Sequence, residues 1–538
     1  MKRAIISCLL LAGLLLNLAA CQAAPEKEVV VSKNDGTFEQ AITADAGESG
    51  GVSLSGEPAA VESSSVIYTD SFTSTDGKVT YNINAQVDVP TINMPIVQVC
   101  PMVINGPKAR QIAQAVFGSV PLYEKTNEKT RGELEDIIIL LSNWTSDAAI
   151  RNDYGQDIDD TALEDIRANR QAILDNYKAA YAQARDVVPK EECQFRFYEQ
   201  FTRYSIDGTG AYGDATGFYD EIPYGESYDL QANAEMDGIP YIFWVNNREA
   251  DDFHNHSFSV FVDLGNVTPE VENEYKRSVG LFSDTPATSE QLAQIEQKAA
   301  SMIEGMGIGQ WQIHAEVQHS GDSLQQEQDS WDYYVVVRCL PVYEGITVTH
   351  QDQLFNMKSK NAFASNYYYE ELTMMFSNDG RLLDIHYDGA LELVQVVNAN
   401  VPVMSTEEMQ QRIREQLALS DLSEYWQFNE PNAFEKYYPN VSGSVLEERK
   451  ATLTAVCAEI EIDQVEIGLA RIKIKDNNSD FYLVPSVTLR GHIKVYNAAG
   501  TELVSTEKYF YLDDIPVETI LGLNLVDGTV LVLKNPEE

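Results

Sequence analysis

Basic residues are scarce in this sequence of 538 residues. Lysine and arginine together number 38 against 83 aspartates and glutamates, which gives a formal net charge of -45. A surface of that sign repels phosphate polyanions and anionic lipid head groups over long distances. The shortage of basic residues therefore excludes nucleic acid as a partner. It favours neutral ligands, divalent cations, or a basic protein or peptide segment.

Long apolar runs are missing beyond the amino terminus. The run from Ile137 to Leu141 is far shorter than the roughly 18 to 20 residues that a helix needs to cross a bilayer. At the amino terminus, Lys2 and Arg3 precede an apolar segment from Ile5 to Leu16. Small residues then precede a cysteine in Leu18-Ala19-Ala20-Cys21. This layout is typical of a cleavable export signal.

The residues up to Cys21 resemble a bacterial lipobox. The resemblance implies that residues 1–20 are a lipoprotein signal peptide, that the Cys21 thiol is acylated, and that lipid alone holds the protein at the extracytoplasmic face of the cell membrane. An ordinary secretory signal followed by a cysteine is the alternative, and it also implies export. Residues 21–65 are predicted to be a lipidated N-terminus and flexible linker, because residues 32–65 are mostly small or polar and show no apolar period.

Within this linker, the stretch Gly47-Glu48-Ser49-Gly50-Gly51 matches the G-x-S-x-G pattern of serine hydrolases. A nucleophile elbow needs a buried strand before its serine and a helix after it. The flanking residues predict neither element, so Ser49 is interpreted as a linker residue.

A second glycine motif is equally unsupported. Gly208, Gly210 and Gly213 match G-x-G-x-x-G, but Pro223 and further glycines follow where the dinucleotide fingerprint requires a helix. A glycine-rich hairpin or loop is favoured, and no cofactor is predicted.

An acidic loop is the better metal candidate. Four acidic residues of "DYGQDIDDTALE" stand at positions 1, 5, 7 and 12 of an EF-hand-like register: Asp153, Asp157, Asp159 and Glu164. However, Gly155 occupies a ligand position, and Ile158 stands where the sharp turn demands glycine. We therefore expect no tight Ca²⁺ binding, and we interpret Asp159 or Asp160 as the cap of the following helix.

Histidine and cysteine give little support for another metal site. His254 and His256 alternate on a predicted strand and would face one side, as half of a zinc site does, but the other histidines are scattered, so surface histidines are expected. The sequence has no C-x-x-C motif. Cys100, Cys193, Cys339 and Cys457 are expected to be free thiols, with Cys100 to Cys193 the one pairing to check. Strand alternation predicts that Cys339 is buried.

The apolar periodicity predicts an α+β fold of two or three tandem lobes. In each, an amphipathic helix precedes strands whose short connections require antiparallel pairing. The predicted lobes span residues 66–270, with extra helices near 128–144 and 161–186, then 288–400 and 405–538. Helix caps mark the main helices: Asn105 with Gly118, Thr288 with Gln291, and Ser405 with Glu408.

Several phrases resemble a family of clostridial-type, Gram-positive lipoproteins described only as a domain of unknown function. They are "CQAAPEKEVVVSKNDGTFEQAI", "YYYEELTMMFSNDGRLLDIHYDG" and "IDQVEIGLARIKIKDNNSDFYLVPSVTLRG". The lobes are also similar, in plan, to PepSY-type modules and to extracytoplasmic regulators of a cell-wall sensor kinase. This likeness implies curled antiparallel sheets cradling a helix, as in a PepSY or cystatin-like plan, and regulation by protein contact.

Three classes of function remain open. A non-catalytic interaction or regulatory module at the cell surface is favoured by the predicted anchor, the linker and the repeated α+β lobes. A solute-binding lipoprotein is the first alternative, although alternating strands and helices would then be expected. A surface hydrolase is the second, and it would need polar residues converging in a pocket.

Overall fold

The computed structural model describes residues 37–43, 63–90, 94–125, 130–154, 160–187, 189–199, 218–219, 228–250, 253–264, 269–320, 332–349, 367–426, 443–474, 480–503 and 518–533. The predicted lipoprotein signal with Cys21, the linker residue Ser49 and the Gly208 to Gly213 motif lie outside these residues.

The described chain folds into two large sheets and a set of helices, which confirms the α+β class. The strands are β1 Ser63–Thr73, β2 Val79–Pro90, β3 Met94–Pro101, β4 Tyr123–Glu124, β5 Phe197–Glu199, β6 Phe218–Tyr219, β7 Tyr228–Met236, β8 Ile239–Ala250, β9 Phe253–Val262, β10 Gln310–Ser320, β11 Asp332–Tyr343, β12 Ile346–Thr347, β13 Glu371–Phe376, β14 Leu382–Asp388, β15 Leu391–Val401, β16 Ala455–Lys473, β17 Phe481–Asn497, β18 Glu502–Leu503, β19 Glu518–Asn524 and β20 Val530–Leu533. The helices are α1 Thr37–Thr43, α2 Gly106–Phe117, α3 Arg131–Trp144, α4 Asp147–Tyr154, α5 Asp160–Gln183, α6 Pro269–Ser278, α7 Ser289–Met306, α8 Thr406–Leu419 and α9 Ser444–Leu453.

Strands from the two ends of the described chain form one sheet, which we call the terminal sheet. Its main order is β1-β2-β16-β17-β19-β20; β18 also pairs with β17, and β3 pairs with both β17 and β15. The strands between them form the central sheet, in the order β10-β11-β13-β14-β9-β8-β7-β5-β6, with β12 on β11 and β4 on β7. Among the strand pairs of the described residues, β2 and β16 run parallel and the others run antiparallel. A single parallel bridge, outside these strand pairs, also joins Val348 to Leu469.

The expectation of one sheet for each of the segments 66–270, 288–400 and 405–538 is corrected by this topology. The first segment divides, because β1 to β3 join the terminal sheet while β4 to β9 join the central sheet. The middle segment divides too, since β15 pairs with β3. Local periodicity predicts strands but not their partners, and β2 and β3 have partners hundreds of residues away in sequence.

The helix caps form as the sequence predicts. The Asn105 side chain accepts a hydrogen bond from the backbone N–H of Lys108 at the start of α2, and Gly118 ends that helix. A complete capping box, Thr288 with Gln291, begins α7, and Ser405 caps α8 by accepting from the N–H of Glu408. These are local interactions within one turn, which is why sequence alone identifies them.

Each sheet buries one face under helices. The core of the central sheet contains Ile112 of α2 and Ile295 and Ala299 of α7, packed with strand residues such as Phe243. The core of the terminal sheet contains Met409, Ile413 and Leu417 of α8 with residues such as Tyr81. The spacing of these α8 residues, four apart, is that of an amphipathic helix face. No described helix is both long and apolar enough to span a membrane.

Part of the predicted linker is folded. Residues Thr37–Thr43 form α1, and Phe38, Ala41 and Ile42 pack against a small core that includes Ile96 and Val484 of the terminal sheet. The spacing of these three residues, three and one apart, places them on one helix face. The expectation of a structureless linker through residue 65 is therefore wrong for Thr37–Thr43. This helix has only about two turns, which is too short for an apolar period to be visible in the sequence.

Candidate functional site

The two sheets meet where β14 of the central sheet passes into β15 of the terminal sheet. Gly389 lies in this link with φ of 60°, and a Cβ atom there would stand 2.2 Å from the carbonyl oxygen of Tyr369. Only glycine allows so close an approach in that conformation. The segment from Tyr367 to Glu370 is therefore held directly against the link between the sheets.

Glu370 bonds to both sheets. Its Oε1 accepts hydrogen bonds from the Tyr387 hydroxyl at 2.7 Å and from the backbone N–H of Leu391 at 3.3 Å. Its Oε2 accepts from the Tyr343 hydroxyl at 2.9 Å. Tyr343 and Tyr387 belong to the central sheet, whereas Leu391 begins β15 of the terminal sheet. We call this arrangement the sheet junction: Glu370, Tyr343, Tyr387 and Leu391.

Burial and hydrogen bonding act in opposite directions on the pKa of the Glu370 carboxyl in the sheet junction. Burial raises the pKa of Glu370 from 4.5 to about 7, although the hydrogen bonds from Tyr387, Tyr343 and Leu391 act in the opposite direction. Burial, followed by the nearby Glu370 charge, raises the pKa of both tyrosine hydroxyls well above 10. The tyrosines therefore stay protonated as donors, and Glu370 can gain or lose a proton near neutral pH.

Arg471 fastens the same segment from the other side. This buried residue of β16 donates hydrogen bonds to the carbonyl oxygens of Tyr368 and, at 2.6 Å, Tyr367. Its guanidinium carbon also lies 4.1 Å from the ring centre of Tyr369 and 4.7 Å from that of Phe481. A planar guanidinium can donate in its plane and stack on rings at the same time. Arg471 thus ties the segment before β13 to the terminal sheet.

His256 lies beside this region and is not a surface residue. It is buried on β9, where its Nδ1 lies 3.1 Å from the carbonyl oxygen of Met102 and its ring meets that of Tyr367 edge-on at 5.8 Å. The expectation of a surface histidine is therefore wrong for His256. Its buried ring nitrogen is satisfied by a backbone carbonyl, a contact between distant segments that strand alternation does not indicate. His254 is on the same strand, but its side chain is not among those that the structure describes.

The acidic loop is only partly described. Asp153 lies in the last turn of α4, and Glu164 is an exposed residue near the start of α5. Asp157 and Asp159 fall outside the described residues. The described part of the chain contains no group of three or more His, Cys, Asp or Glu side chains arranged to hold a metal ion. The expectation that the loop from Asp153 to Glu164 does not bind Ca²⁺ tightly therefore remains a prediction.

The cysteines of the described residues are free, as expected: Cys100, Cys193, Cys339 and Cys457. Cys339 is buried as its strand alternation predicts, and burial raises its pKa to about 12. The Cys100 thiol donates to Oε1 of Glu392 at 3.6 Å, and burial together with this carboxylate raises its pKa to about 12. Thiols of such high pKa are poor nucleophiles at neutral pH.

Another polar alignment, absent from any sequence motif, lies on the central sheet. The Ser259 Oγ is 3.1 Å from Nδ1 of His386, and Nε2 of His386 is 3.1 Å from Oδ1 of Asp384. A serine nucleophile also needs free backbone N–H donors to bind an oxyanion. Ser259 is paired on both sides, with Trp244 of β8 and His386 of β14, so its backbone serves the strand ladder. We interpret this alignment as a surface ion pair with a serine neighbour.

One edge of the terminal sheet is open within the described structure. β1 pairs with β2 along its whole length, and no other described strand pairs with it. Val66 and Ile67 on this strand are 40% and 76% exposed, whereas Tyr68 and Phe72 are buried. The guanidinium of Arg414 on α8 lies 4.7 Å from the ring centre of Phe72. The buried side chains of β1 therefore lie on the side of α8. Val66 and Ile67, near the start of β1, are exposed to solvent.

Comparisons with known proteins give little further information. No protein-family model matches the chain, and no curated protein matches it. A crystal structure of an uncharacterized protein from Eubacterium rectale ATCC 33656, at 1.45 Å resolution, aligns over 84% of this chain and 91% of that chain, with 9% identity and a TM-score of 0.34. At that score the likeness carries no conclusion about function.

Proposed function

We propose that this protein is a lipid-anchored, extracytoplasmic interaction or regulatory module that binds an extended segment of a partner protein along β1. The observation that carries the proposal is the open edge of β1 with exposed Val66 and Ile67. An edge strand offers unpaired backbone N–H and C=O groups to an added strand, and exposed apolar side chains give that strand surface to bury.

The charge of the protein indicates the chemistry of the partner segment. With a net charge of -45, the chain attracts basic segments and repels acidic ones. Near the exposed end of β1, Asp88 is itself exposed on β2 and accepts a hydrogen bond from Ser65. We therefore propose a partner segment that alternates basic and apolar residues. Association should be faster at low salt, because electrostatic steering is screened by ions.

The strand pairing supports an interaction module over a solute-binding lipoprotein. A doubly wound binding protein would contain parallel strands joined by helices, whereas the described pairs are antiparallel apart from β2 and β16. The packing of α7 on β10 and β11 supports a PepSY-like plan for that part of the chain. A lipid anchor at Cys21 would raise the effective concentration near membrane neighbours, so a modest affinity for the partner would suffice.

The test is site-specific photo-crosslinking at the native cell surface. A photoreactive amino acid at position 67 should form a crosslink to a partner protein. Mass spectrometry of the crosslinked peptide should then identify a partner segment that contains lysine or arginine. The matched control is position 445, because Val445 is also exposed, at 52%, but lies on α9. The substitution Ile67→Lys should reduce capture at least about tenfold, since a lysine on an edge strand is a common guard against edge pairing and would also repel a basic partner segment.

Two outcomes would contradict the proposal. The first is equal capture at positions 67 and 445, which would indicate non-specific contact. The second is hydrolysis of a surface substrate that one serine or carboxylate substitution abolishes, with no partner captured. That result would favour the surface hydrolase.

A further inference from the structure

The backbone of β1 alternates between β2 and the open edge of the terminal sheet. The strand pairs antiparallel with β2 from Ser63 to Thr73 in a continuous register. Just beyond it, the N–H of Ser74 donates to the carbonyl oxygen of Val79 at 2.8 Å, which closes the ladder at the turn. In an antiparallel pair, residues that bond to the partner strand alternate with residues whose backbone groups point away from it. Even-numbered residues of β1 therefore bond to β2, and odd-numbered residues point outward.

A contact on the other side of β2 gives the same assignment. The N–H of Ala458 on β16 donates to the carbonyl oxygen of Lys78 at 2.9 Å. Even-numbered residues of β2 thus bond to β16, and its odd-numbered residues bond to β1. In the register of the two strands, the odd residues of β2 are paired with the even residues of β1. The outward positions near the exposed end of β1 are therefore Ser65, Ile67 and Thr69.

The next outward residue along β1 is already bonded. The N–H of Ser71 donates to Oδ1 of Asp70 at 2.8 Å. Arg414 of α8 holds this carboxylate, since its Nη1 donates to Oδ1 at 2.6 Å and to Oδ2 at 2.8 Å. We call this arrangement the edge cap: Asp70, Ser71 and Arg414. A backbone N–H that is bonded within the protein is not offered to a further strand.

The end of β1 beyond the edge cap is tied to α8. The backbone N–H and the hydroxyl of Thr75 both donate to the carbonyl oxygen of Ala418, each at 2.7 Å. Thr73 is thus a single outward position between two bonded ones. At positions 65, 67 and 69, by contrast, no described strand and no other described group bonds to the outward backbone. A continuous row of open positions therefore exists only before Asp70.

The side chains beside this row indicate what an added strand would contain. The outward residues share the face of the sheet opposite α8, because side chains alternate along a strand. Ile67 is 76% exposed there. On the same face, exposed Asp88 of β2 is paired with Ser65. Since neighbouring strands lie about 4.8 Å apart, a long basic side chain placed beside Ser65 reaches Asp88, and an apolar side chain two residues further along covers Ile67.

We infer that the edge cap ends the docking edge of β1, so that the partner adds a short strand opposite residues 65–69, with a basic residue beside Ser65 and an apolar residue beside Ile67. The inference rests on the proposed function and specifies the length, register and composition of the partner segment. Asp70 is then a positioning residue, because its carboxylate acts through the N–H of Ser71.

The edge cap is tested first without a partner, by residue-resolved hydrogen–deuterium exchange of the full-length protein in detergent, corrected for intrinsic rates. The amide of Ser71 should exchange about tenfold more slowly than those of Ile67 and Thr69, because its N–H is bonded to a carboxylate. Asp70→Ala should remove this difference. Asp70→Asn is the matched control, since the amide oxygen of asparagine still accepts from Ser71 and should keep the slow exchange.

The limit on the partner is tested by photo-crosslinking at two matched positions. Thr69 and Thr73 are exposed threonines on one face of β1, on either side of the edge cap. A photoreactive amino acid at position 69 should capture the same partner as one at position 67, while one at position 73 should capture at least about tenfold less. Asp70→Ala should raise capture at position 73 towards that at position 69, and Asp70→Asn should not.

The outcomes separate this inference from the proposed function. A Ser71 amide that exchanges as fast as that of Ile67 in the parent protein would overturn the edge cap, and so would slow exchange that survives Asp70→Ala. Equal capture at positions 69 and 73 of the parent would overturn the limit while leaving binding at β1 in place. Absence of capture at both 67 and 69 would contradict the proposed function itself, and the inference would fall with it.

Discussion

The guanidinium of Arg471 donates a hydrogen bond of 2.6 Å to the carbonyl oxygen of Tyr367. More than 100 residues separate the two, and they join the terminal sheet to the segment that enters β13 of the central sheet. Tyr367 extends the connection, since its hydroxyl donates to the carbonyl oxygen of Ala390 at 2.7 Å. The link between the sheets is therefore made of hydrogen bonds to backbone carbonyls as well as the Glu370 carboxyl.

The first prediction concerns this connection. Arg471→Ala should lower the free energy of unfolding by about 3 kcal/mol, because two carbonyl oxygens lose a charged donor and the stacked rings lose their partner. Urea unfolding followed by tryptophan fluorescence measures the change. The control is Arg338→Ala, which removes a half-exposed ion pair with Glu316 and should change stability by less than about 1 kcal/mol. Equal effects would contradict a special role for Arg471.

The second prediction concerns the glycine in the link between the sheets. Gly389→Ala should destabilise the protein by about 4 kcal/mol or more, because the new Cβ would stand 2.2 Å from a backbone oxygen at a positive φ. Gly77→Ala is the matched control, since Gly77 also has a positive φ but nothing lies within 4 Å of its Cβ position. That variant should lose only about 1 kcal/mol. Thermal unfolding compares the two, and similar losses would mean that the link tolerates a side chain.

The third prediction concerns His386 on the open face of the central sheet. The hydrogen bond with Asp384 raises the pKa of His386 above 6.5, and burial acts in the opposite direction. Because the pKa of His386 is higher in the folded protein than the ordinary 6.5, its contact with Asp384 contributes its full stabilisation below pH 6.5. That contribution is lost as the pH rises through the folded pKa of His386. An NMR titration of His386 should give a midpoint above 6.5 that falls in Asp384→Asn. Asp237→Asn, at the distant β7–β8 turn, should leave the midpoint in place, and an unchanged midpoint in Asp384→Asn would refute the assignment.

The fourth prediction concerns the amino terminus. If Cys21 is the lipidated residue, Cys21→Ser should give an uncleaved or soluble form, because the acyl chains attach through the thiol. Detergent phase partitioning and the apparent mass on a gel measure the two effects. Cys100→Ser is the control, since Cys100 lies on β3. A Cys21→Ser protein that is processed and partitions like the parent would show that the lipobox interpretation is incorrect.

The local features of this protein can be predicted from its sequence. The cap of α2 at Asn105 and the capping box at Thr288 depend on residues within one turn of each other. The burial of Cys339 follows from the alternation of its own strand. The candidate site could not be found in this way. Glu370 stands in an aromatic, acidic stretch that predicts a strand, and its partners Tyr343 and Tyr387 come from two other strands.

What the sequence by itself determined is the class of fold, the main helices and the acidic character of the surface. Each depends on the spacing of apolar residues, on neighbours along the chain, or on the sum of charges. The tertiary structure alone decided which strands share a sheet. It placed β2 beside β16, brought Glu370 between the sheets, and left β1 at an open edge. The physical reason is that a strand's pattern states which face is buried, whereas its partner is chosen by the combined burial of the whole chain, over separations that no local pattern records.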